Sequence, residues 1–176
     1  MESMKTTAQK IESFFKEKGW KYDCPRQEED RILFTTGVNM GNVLGKLRIV
    51  IFLREDCYVV NAILNSFVEK ERYAQVAEYL HRANYATLNG NFEFDYDDGE
   101  IRYKTYTNFD GDAVLSKDVI EESIFVPVFM FDEYGKNLLR LMIGPGDPKQ
   151  LIEEAERNHE EEMRQNAPAE DTTSLS

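Results

Sequence analysis

The chain has 176 residues and a formal net charge of −12 at neutral pH. This length suits one domain with enough residues to form a core. A surface this acidic repels phosphate groups, so we expect neither nucleic acid nor a membrane surface among the partners.

The N-terminal segment and the cysteines indicate a cytoplasmic protein. Residues 1–10 are polar and lack an apolar run after a basic stretch, which argues against a secretory signal, and no later segment is long and apolar enough to span a membrane. Cys24 and Cys57 match no metal or redox spacing, and we prefer two reduced core thiols to a disulfide. We find no residues with the spacing of a metal site and expect neither a metal nor a cofactor.

Thr6 and Gln9 have the spacing of a capping box and predict the start of a first helix. Gly19 is placed to end this helix. The large apolar residues between these points share one helical face. They are Ile11, Phe14 and Phe15.

Two later helices are predicted from similar signals. Ser66 and Glu69 form a second capping-box pattern before the second helix. Ser116 is predicted to cap a long third helix that ends near Gly144, and Pro127 should kink or break it. Because the apolar positions of this third helix cover more than one stripe, we expect it to be fully buried or shared with a partner.

The C-terminal part is expected to differ from the rest. Asp147 and Pro148 begin an acidic helix that we extend over residues 147–165. The polar residues 166–176 are expected to form a disordered tail. We therefore divide the chain into a domain of residues 1–146, the acidic helix and the tail.

Alternating apolar residues predict a strand over Ile32–Val38 and a pair of strands over Leu44–Arg54 and Cys57–Leu64, with a turn at Glu55 and Asp56. In this register one face is wholly apolar and belongs in the core. Its pairs are Leu47–Leu64, Ile49–Ala62, Ile51–Val60 and Leu53–Tyr58.

The opposite face of this strand pair is apolar at its centre, with Val50 and Phe52 on one strand and Val59 on the other. A sheet face that meets water should be polar there. We therefore expect a cover, which is either a helix of the same chain or a partner.

A second hairpin is predicted around Asp98 and Gly99, because this dipeptide is typical of two-residue loops whose central positions need positive φ. The register puts aromatic residues on one face and opposite charges on the other. The pairs are Tyr96–Ile101, Phe94–Tyr103, Phe92–Thr105, Asp95–Arg102 and Glu93–Lys104.

A set of short motifs surrounds this hairpin. They are Asn84-Tyr85, Leu88, the run from Gly90 to Asp95, the run from Asp98 to Tyr103 and the helix start at Leu115-Ser116. Together they resemble the signature of the YbjN-domain family, also called bacterial sensory transduction regulators. The resemblance covers roughly residues 66–144 and marks the fold more than any chemistry.

The resemblance implies a fold and a kind of function. The fold is α+β and similar to that of type III secretion chaperones, with an antiparallel sheet and helices packed on it. The implied protein is a cytoplasmic homodimer with a non-enzymatic role in protein binding or regulation, and its partner protein is of unknown identity.

Two functions stay open. The first is a chaperone-like or regulatory protein that binds a partner through Val50, Phe52 and Val59 on the sheet or through Phe125 and Phe129 on the third helix. The second is a small-molecule-binding or enzymatic domain that uses scattered carboxylates. An apolar groove that fits a peptide would favour the first, and a closed pocket with clustered ionisable groups would favour the second.

Overall fold

The computed structural model of the protein describes residues 2–28, 30–85, 87–109 and 113–166. Within these residues the elements follow each other in a mixed order of helices and strands. They are α1 (Glu2–Glu17), β1 (Tyr22–Gln27), β2 (Arg31–Asn39), β3 (Lys46–Arg54), β4 (Cys57–Leu64), a 3-10 turn (Lys70–Arg72), α2 (Tyr73–Ala83), β5 (Asn91–Phe94), β6 (Ile101–Asn108), α3 (Lys117–Ile143) and α4 (Pro148–Asn166).

The strands form a six-stranded sheet in the order β1-β2-β3-β4-β6-β5, and each neighbouring pair is antiparallel. Helices α1, α2 and α3 pack on one face of this sheet and share its core. The predicted α+β class, with helices packed on an antiparallel sheet, is therefore confirmed.

The register of β3 with β4 is confirmed residue by residue. Leu47 lies opposite Leu64, and Leu53 lies opposite Tyr58. All four side chains are at most 2% exposed. The short turn between the strands left no freedom to shift the pairing without moving these residues out of the core.

The core lies between this sheet face and the helices. Ile11, Phe14 and Phe15 of α1 are at most 1% exposed, and the hydroxyl of Thr105 on β6 donates to the backbone carbonyl of Ser123 on α3. None of the helices that the structure describes packs on the opposite sheet face. Of the two expected covers, a helix of the same chain is therefore absent among the described residues.

The predicted register of the second hairpin is wrong by two residues. Phe94 lies opposite Ile101, and Phe92 lies opposite Tyr103. The loop is longer than two residues because carboxylates bond its backbone: Asp97 N–H donates to Asp95 Oδ1 at 2.8 Å. Since the shift is even, each side chain still points to the predicted face.

Side-chain and backbone contacts fix this longer loop. Glu100 N–H donates to Asp98 Oδ1 at 2.8 Å, and the carbonyl of Gly99 accepts from Val68 N–H at 3.1 Å. The ring of Tyr96 lies 5.3 Å from the ring of Tyr73 at the start of α2. The loop is thus built to contact the segment before α2, which the sequence pattern did not reveal.

Helix starts were predicted with mixed success. α1 begins at Glu2 rather than at Thr6, and α2 begins at Tyr73 without a side-chain cap at Glu69. The Ser116 hydroxyl does accept from Val119 N–H at 3.2 Å and caps α3 as predicted. α3 continues through Pro127 to Ile143 without a break.

Helix α4 packs on α2 and α3, where Leu151, Ile152 and Ala155 are buried. Asn137 of α3 donates from Nδ2 to the carbonyl of Leu151 at 2.9 Å, and the predicted cap is present because Asp147 Oδ1 accepts from Gln150 N–H at 2.9 Å. The rest of the predicted tail, residues 167–176, lies outside the described residues. In the described part, no helix has the length and apolar character needed to cross a membrane.

The motif residues that suggested the YbjN family have structural roles in this chain. Asn84, just after α2, donates to the carbonyl of Phe92 at 3.0 Å and accepts from its N–H at 2.7 Å. Gly90 has φ +86°, and a Cβ there would lie 2.4 Å from the carbonyl oxygen of Lys104. These contacts hold the edge strand β5 against α2 and β6.

Neither cysteine lies in the core, contrary to expectation. Cys24 is exposed on the edge strand β1, and Cys57 is half-buried at the start of β4. Both are free thiols.

Candidate protein-binding face of the sheet

The side of the sheet that points away from the helices, here called the open face, is formed by alternate residues of β2, β3, β4 and β6. Cross-strand pairing arranges its side chains in rows that run across the four strands. The rows are Leu33, Phe52, Val59 and Tyr106; Thr35, Val50, Asn61 and Lys104; and Gly37, Arg48, Ile63 and Arg102.

The first of these rows is entirely apolar or aromatic, and we call it the apolar row. Phe52 is 41% exposed and Tyr106 is 57% exposed. Val59, which lies between them, and Leu33, on the other side of Phe52, are half-buried. Adjacent strands lie about 4.8 Å apart, so the row extends for roughly 14 Å across the sheet. Aromatic side chains at an exposed sheet centre are typical of a contact surface.

The second row is dense although no described helix lies over it. Val50 and Asn61 are only 8% and 6% exposed. Asn61 Oδ1 has no hydrogen-bond partner among the described residues. A buried acceptor without a donor lowers stability.

The open face carries mostly cationic charge. Its lysine and arginine side chains, including those at the strand ends, are Arg31, Lys46, Arg48, Arg54, Arg102 and Lys104. The strand carboxylates on the same side are Asp23 on β1 and Glu93 on β5. Glu100, just before β6, adds a third carboxylate, which pairs with Arg48 at 3.4 Å and with Arg102 at 3.8 Å. This excess is opposite in sign to the net charge of −12 of the whole chain.

Glu93 joins two of these cations. Arg102 donates from Nε to Glu93 Oε2 at 2.7 Å, and Lys104 bonds the other carboxylate oxygen. Partial burial alone would raise the pKa of the Glu93 carboxyl, but the hydrogen bonds and charges of Lys104 and Arg102 outweigh it and lower that pKa below its ordinary value. The carboxylate therefore stays charged and neutralises this corner of the open face.

At the opposite end of the open face, beyond Leu33 and Phe52, two arginines face each other. Arg31 and Arg54 lie directly opposite in the β2–β3 pair. Arg31 bonds Glu28 through Nε at 2.7 Å, whereas Arg54 makes no ion pair in the part of the chain that the structure describes. Like charges directly opposite on a sheet repel each other.

The predicted binding residues lie on two different sides of the molecule. Val50, Phe52 and Val59 share the open face, whereas Phe125 and Phe129 lie on α3 among the helices. Phe125 is half-buried, with its ring 6.0 Å from the rings of both Phe14 and Trp20. Phe129 is 57% exposed beside His159 of α4.

A groove between α3 and α4 has a volume of about 560 Å³. Phe129 lines it with several carboxylates, a lysine and a histidine. The ionisable residues are Asp132, Glu133, Lys136, His159, Glu161 and Glu162. They are spread along an open groove, and across the described residues no group of three or more His, Cys, Asp or Glu side chains is placed to hold a metal.

Sequence reasoning missed the outer strands of the open face. Leu33, Tyr106 and the cations of β6 belong to it because β6, rather than β5, pairs with β4. The alternation of Arg102, Lys104 and Tyr106 with buried residues was a usable signal for their facing. No local pattern, however, specified which strand would lie beside β4.

Comparisons with known proteins add little to this geometry. No protein-family model matches the chain, and no curated protein matches it significantly. Among solved structures it is similar to the crystal structure of an uncharacterized protein from Methanothermobacter thermautotrophicus, with 14% sequence identity, a TM-score of 0.45 and coverage of 86% of this chain and 98% of that chain. The resemblance to the YbjN-domain family therefore stays a prediction.

Proposed function

We propose that this chain is a non-enzymatic protein-binding module of the cytoplasm that holds its partner on the open face. The proposal rests on one observation, the apolar row. Its aromatic members Phe52 and Tyr106 are exposed, and no described helix lies over the sheet face that they share with Leu33 and Val59. The motif resemblance to the YbjN-domain family implies the same kind of role.

The composition of the open face supports binding rather than simple solvation. The water-facing side of an antiparallel sheet normally alternates to polar residues. Here the row formed by Leu33, Phe52, Val59 and Tyr106 interrupts that pattern across four strands. Aromatic residues are enriched at protein interfaces and supply much of their binding energy.

The shape of the open face also favours a macromolecule. Small-molecule sites are concave and surround most of the ligand surface. A row roughly 14 Å wide on a sheet can instead contact an extended or helical segment of another protein. The exposed apolar side chains outside the sheet include Val43, Phe67 and Leu88, which lie singly in loops and form no comparable row.

Affinity capture from the native cell extract tests the proposal when it is made with matched variants. Phe52→Glu places a carboxylate in the apolar row, and Phe129→Glu places one at a similarly exposed aromatic on the helical side. We expect the wild-type chain and Phe129→Glu to capture the same protein, and Phe52→Glu to lose it while it keeps the circular dichroism spectrum of the wild type. Capture that Phe52→Glu leaves intact would contradict the proposed function.

A further inference from the structure

We propose that the open face binds an acidic amphipathic polypeptide segment, which lays apolar side chains on the apolar row and places carboxylates beside the cations at both of its ends. This inference rests on the proposed function and names the chemistry of the partner. Three features of the open face support it: its charge, the like-charged arginine pair, and the position of the apolar row between cationic groups.

The open face and the whole chain differ in the sign of their charge. The chain as a whole has a net charge of −12, yet lysines and arginines outnumber carboxylates on the open face. An acidic protein has no need of a cationic face for solubility, since its net charge already keeps copies apart. A cationic surface with an apolar centre is complementary to a segment that is acidic and apolar.

At one end of the open face, Arg31 and Arg54 lie opposite each other. They lie one row away from Leu33 and Phe52, which corresponds to about 7 Å along the strands. A carboxylate placed between the two guanidinium groups would replace repulsion by two attractive contacts. Arg31 pairs with Glu28, and among the described residues these two arginines form no other ion pair.

At the other end of the open face, a lysine lies across a glycine. The Lys46 side chain crosses over Gly37, since a Cβ at Gly37 would lie 2.0 Å from Lys46 Cε and 2.9 Å from its Nζ. Arg48, which pairs with Glu100 at 3.4 Å, lines a depression of about 470 Å³ there together with Lys46, Lys21, Asn65 and a single carboxylate. That carboxylate belongs to Asp23. Glycine thus leaves room for a lysine to lie flat on the open face and to present its ammonium group there.

These charges disfavour two other occupants. A second copy bound face to face would oppose the arginines of one open face to those of the other, which is unfavourable. A nucleic acid would meet cations here but repulsion from the rest of the chain, whose net charge is −12. An acidic segment with apolar side chains satisfies both the cations and the apolar row.

Three labelled peptides test the chemistry by fluorescence anisotropy with the full chain. All are designed as amphipathic helices of equal length. The first has a leucine stripe with glutamates at the polar positions, the second has the same stripe with lysines, and the third keeps the glutamates but has serines in place of the leucines. We expect only the first to bind, and we expect its affinity to fall in high salt because exposed charge pairs are screened.

Two charge reversals test the site. Arg54→Glu should weaken binding of the glutamate peptide on the order of fivefold to tenfold, since each exposed charge contact accounts for up to about fivefold. The same change should not lower the melting temperature, because it replaces the Arg31–Arg54 repulsion by an attraction. Arg157→Glu, an exposed position on α4 with the same change in net charge, is the control and should leave binding nearly unchanged.

The outcomes separate this inference from the proposed function. If the lysine peptide binds as well as the glutamate peptide, and Phe52→Glu removes both, the acidic partner is wrong while a protein-binding open face stands. If the glutamate peptide does not bind, or if Arg54→Glu and Arg157→Glu weaken it equally, the inference is overturned. Binding of a single-stranded DNA oligonucleotide that Arg54→Glu abolishes, without peptide binding, would overturn it in favour of nucleic acid.

Discussion

At the scale of single residues, Gly99 shows how a loop can be specified by contacts that are distant in sequence. Its φ is +81°, and a Cβ there would lie 2.6 Å from the carbonyl oxygen of Val68 and 3.0 Å from the Tyr73 hydroxyl. The sequence explained this glycine only by the positive φ that the predicted turn requires. The close approach of Val68 could not be inferred, because it depends on how the loop meets the segment before α2.

Gly99→Ala should therefore be more destabilising than an ordinary substitution at positive φ. We expect a loss of roughly 2–4 kcal/mol in the free energy of unfolding, from backbone strain and from overpacking together. Gly45→Ala is the matched control, since its φ is +69° but nothing lies within 4 Å of the added Cβ. It should lose only roughly 1–2 kcal/mol from strain. Equal losses in urea unfolding would show that the contact with Val68 is not tight.

The Glu93 carboxylate gives a pH-dependent prediction. Its pKa is lowered because Lys104 and Arg102 outweigh its partial burial. A carboxylate with a lowered folded-state pKa stabilises the protein at pH values above its unfolded pKa of about 4.3, and this contribution is lost as the pH falls through the folded-state pKa. Glu93→Gln should thus lower the melting temperature most near neutral pH.

The difference in melting temperature between the wild type and Glu93→Gln should shrink as the pH falls below about 4, when the carboxylate is protonated. Glu161→Gln serves as the control, because Glu161 is exposed on α4 and makes no ion pair with the residues the structure describes. It should show no comparable pH dependence. A Glu93→Gln difference that stays constant from acid to neutral pH would rule out a charged role for this group.

At the scale of elements, the two hairpins show what a local pattern can and cannot specify. The β3–β4 register was predictable because long apolar alternation and a short turn at Glu55 and Asp56 admit one pairing. In the β5–β6 hairpin, Asp95 and Asp98 bond backbone N–H groups of the loop and displace the pairing by two residues. Such side-chain competition for the backbone is not visible in a hydrophobic pattern.

The open face was half predictable for a related reason. Val50, Phe52 and Val59 could be placed together from the β3–β4 pair alone. Leu33 and Tyr106 complete the apolar row only through the pairing of β2 with β3 and of β4 with β6. The second pairing joins strands that are separated in sequence by α2 and β5, so no local pattern specifies it.

Helix α4 should be required for stability despite its acidic, thinly apolar sequence. It buries Leu151 and Ile152, each of which contributes about 1.5–3 kcal/mol when fully buried. Without it, the amide of Asn137 on α3 also loses its acceptor at Leu151. A chain that ends at Gly146 should therefore lose at least about 3 kcal/mol or fail to fold.

A chain that ends at Gln165 is the control for this truncation. It keeps the buried residues of α4 and removes only a polar segment. Its free energy of unfolding, measured in urea, should therefore match that of the full chain within about 0.5 kcal/mol. If the chain ending at Gly146 melts like the full-length protein, the docking of α4 on α2 and α3 contributes little.

At the scale of the whole molecule, charge is distributed unevenly between the two sides of the sheet. The open face presents a cationic surface, whereas α4 on the helical side carries acidic residues from Glu153 to Glu162. The helical side buries its apolar residues against the sheet, but the open face leaves its apolar row in contact with water. One side of the sheet therefore packs against the chain's own helices, and the other is the side that we propose binds a different chain.

This asymmetry leads to a prediction about self-association. The motif resemblance implies a homodimer, but two cationic open faces should not bind each other. We therefore expect the mass measured by light scattering after gel filtration to be the same for the wild type and for Phe52→Glu. Since Phe52 is 41% exposed, this variant should also keep its fold and lose no more than about 1 kcal/mol of stability.

Ile51→Glu is the control for the fold, because Ile51 is adjacent on β3 but is 0% exposed on the core side. A carboxylate buried there without a partner should unfold the chain. A wild-type dimer that Phe52→Glu converts to a folded monomer would contradict this prediction. The open face would then be the contact between two copies, and the acidic partner would have to be abandoned.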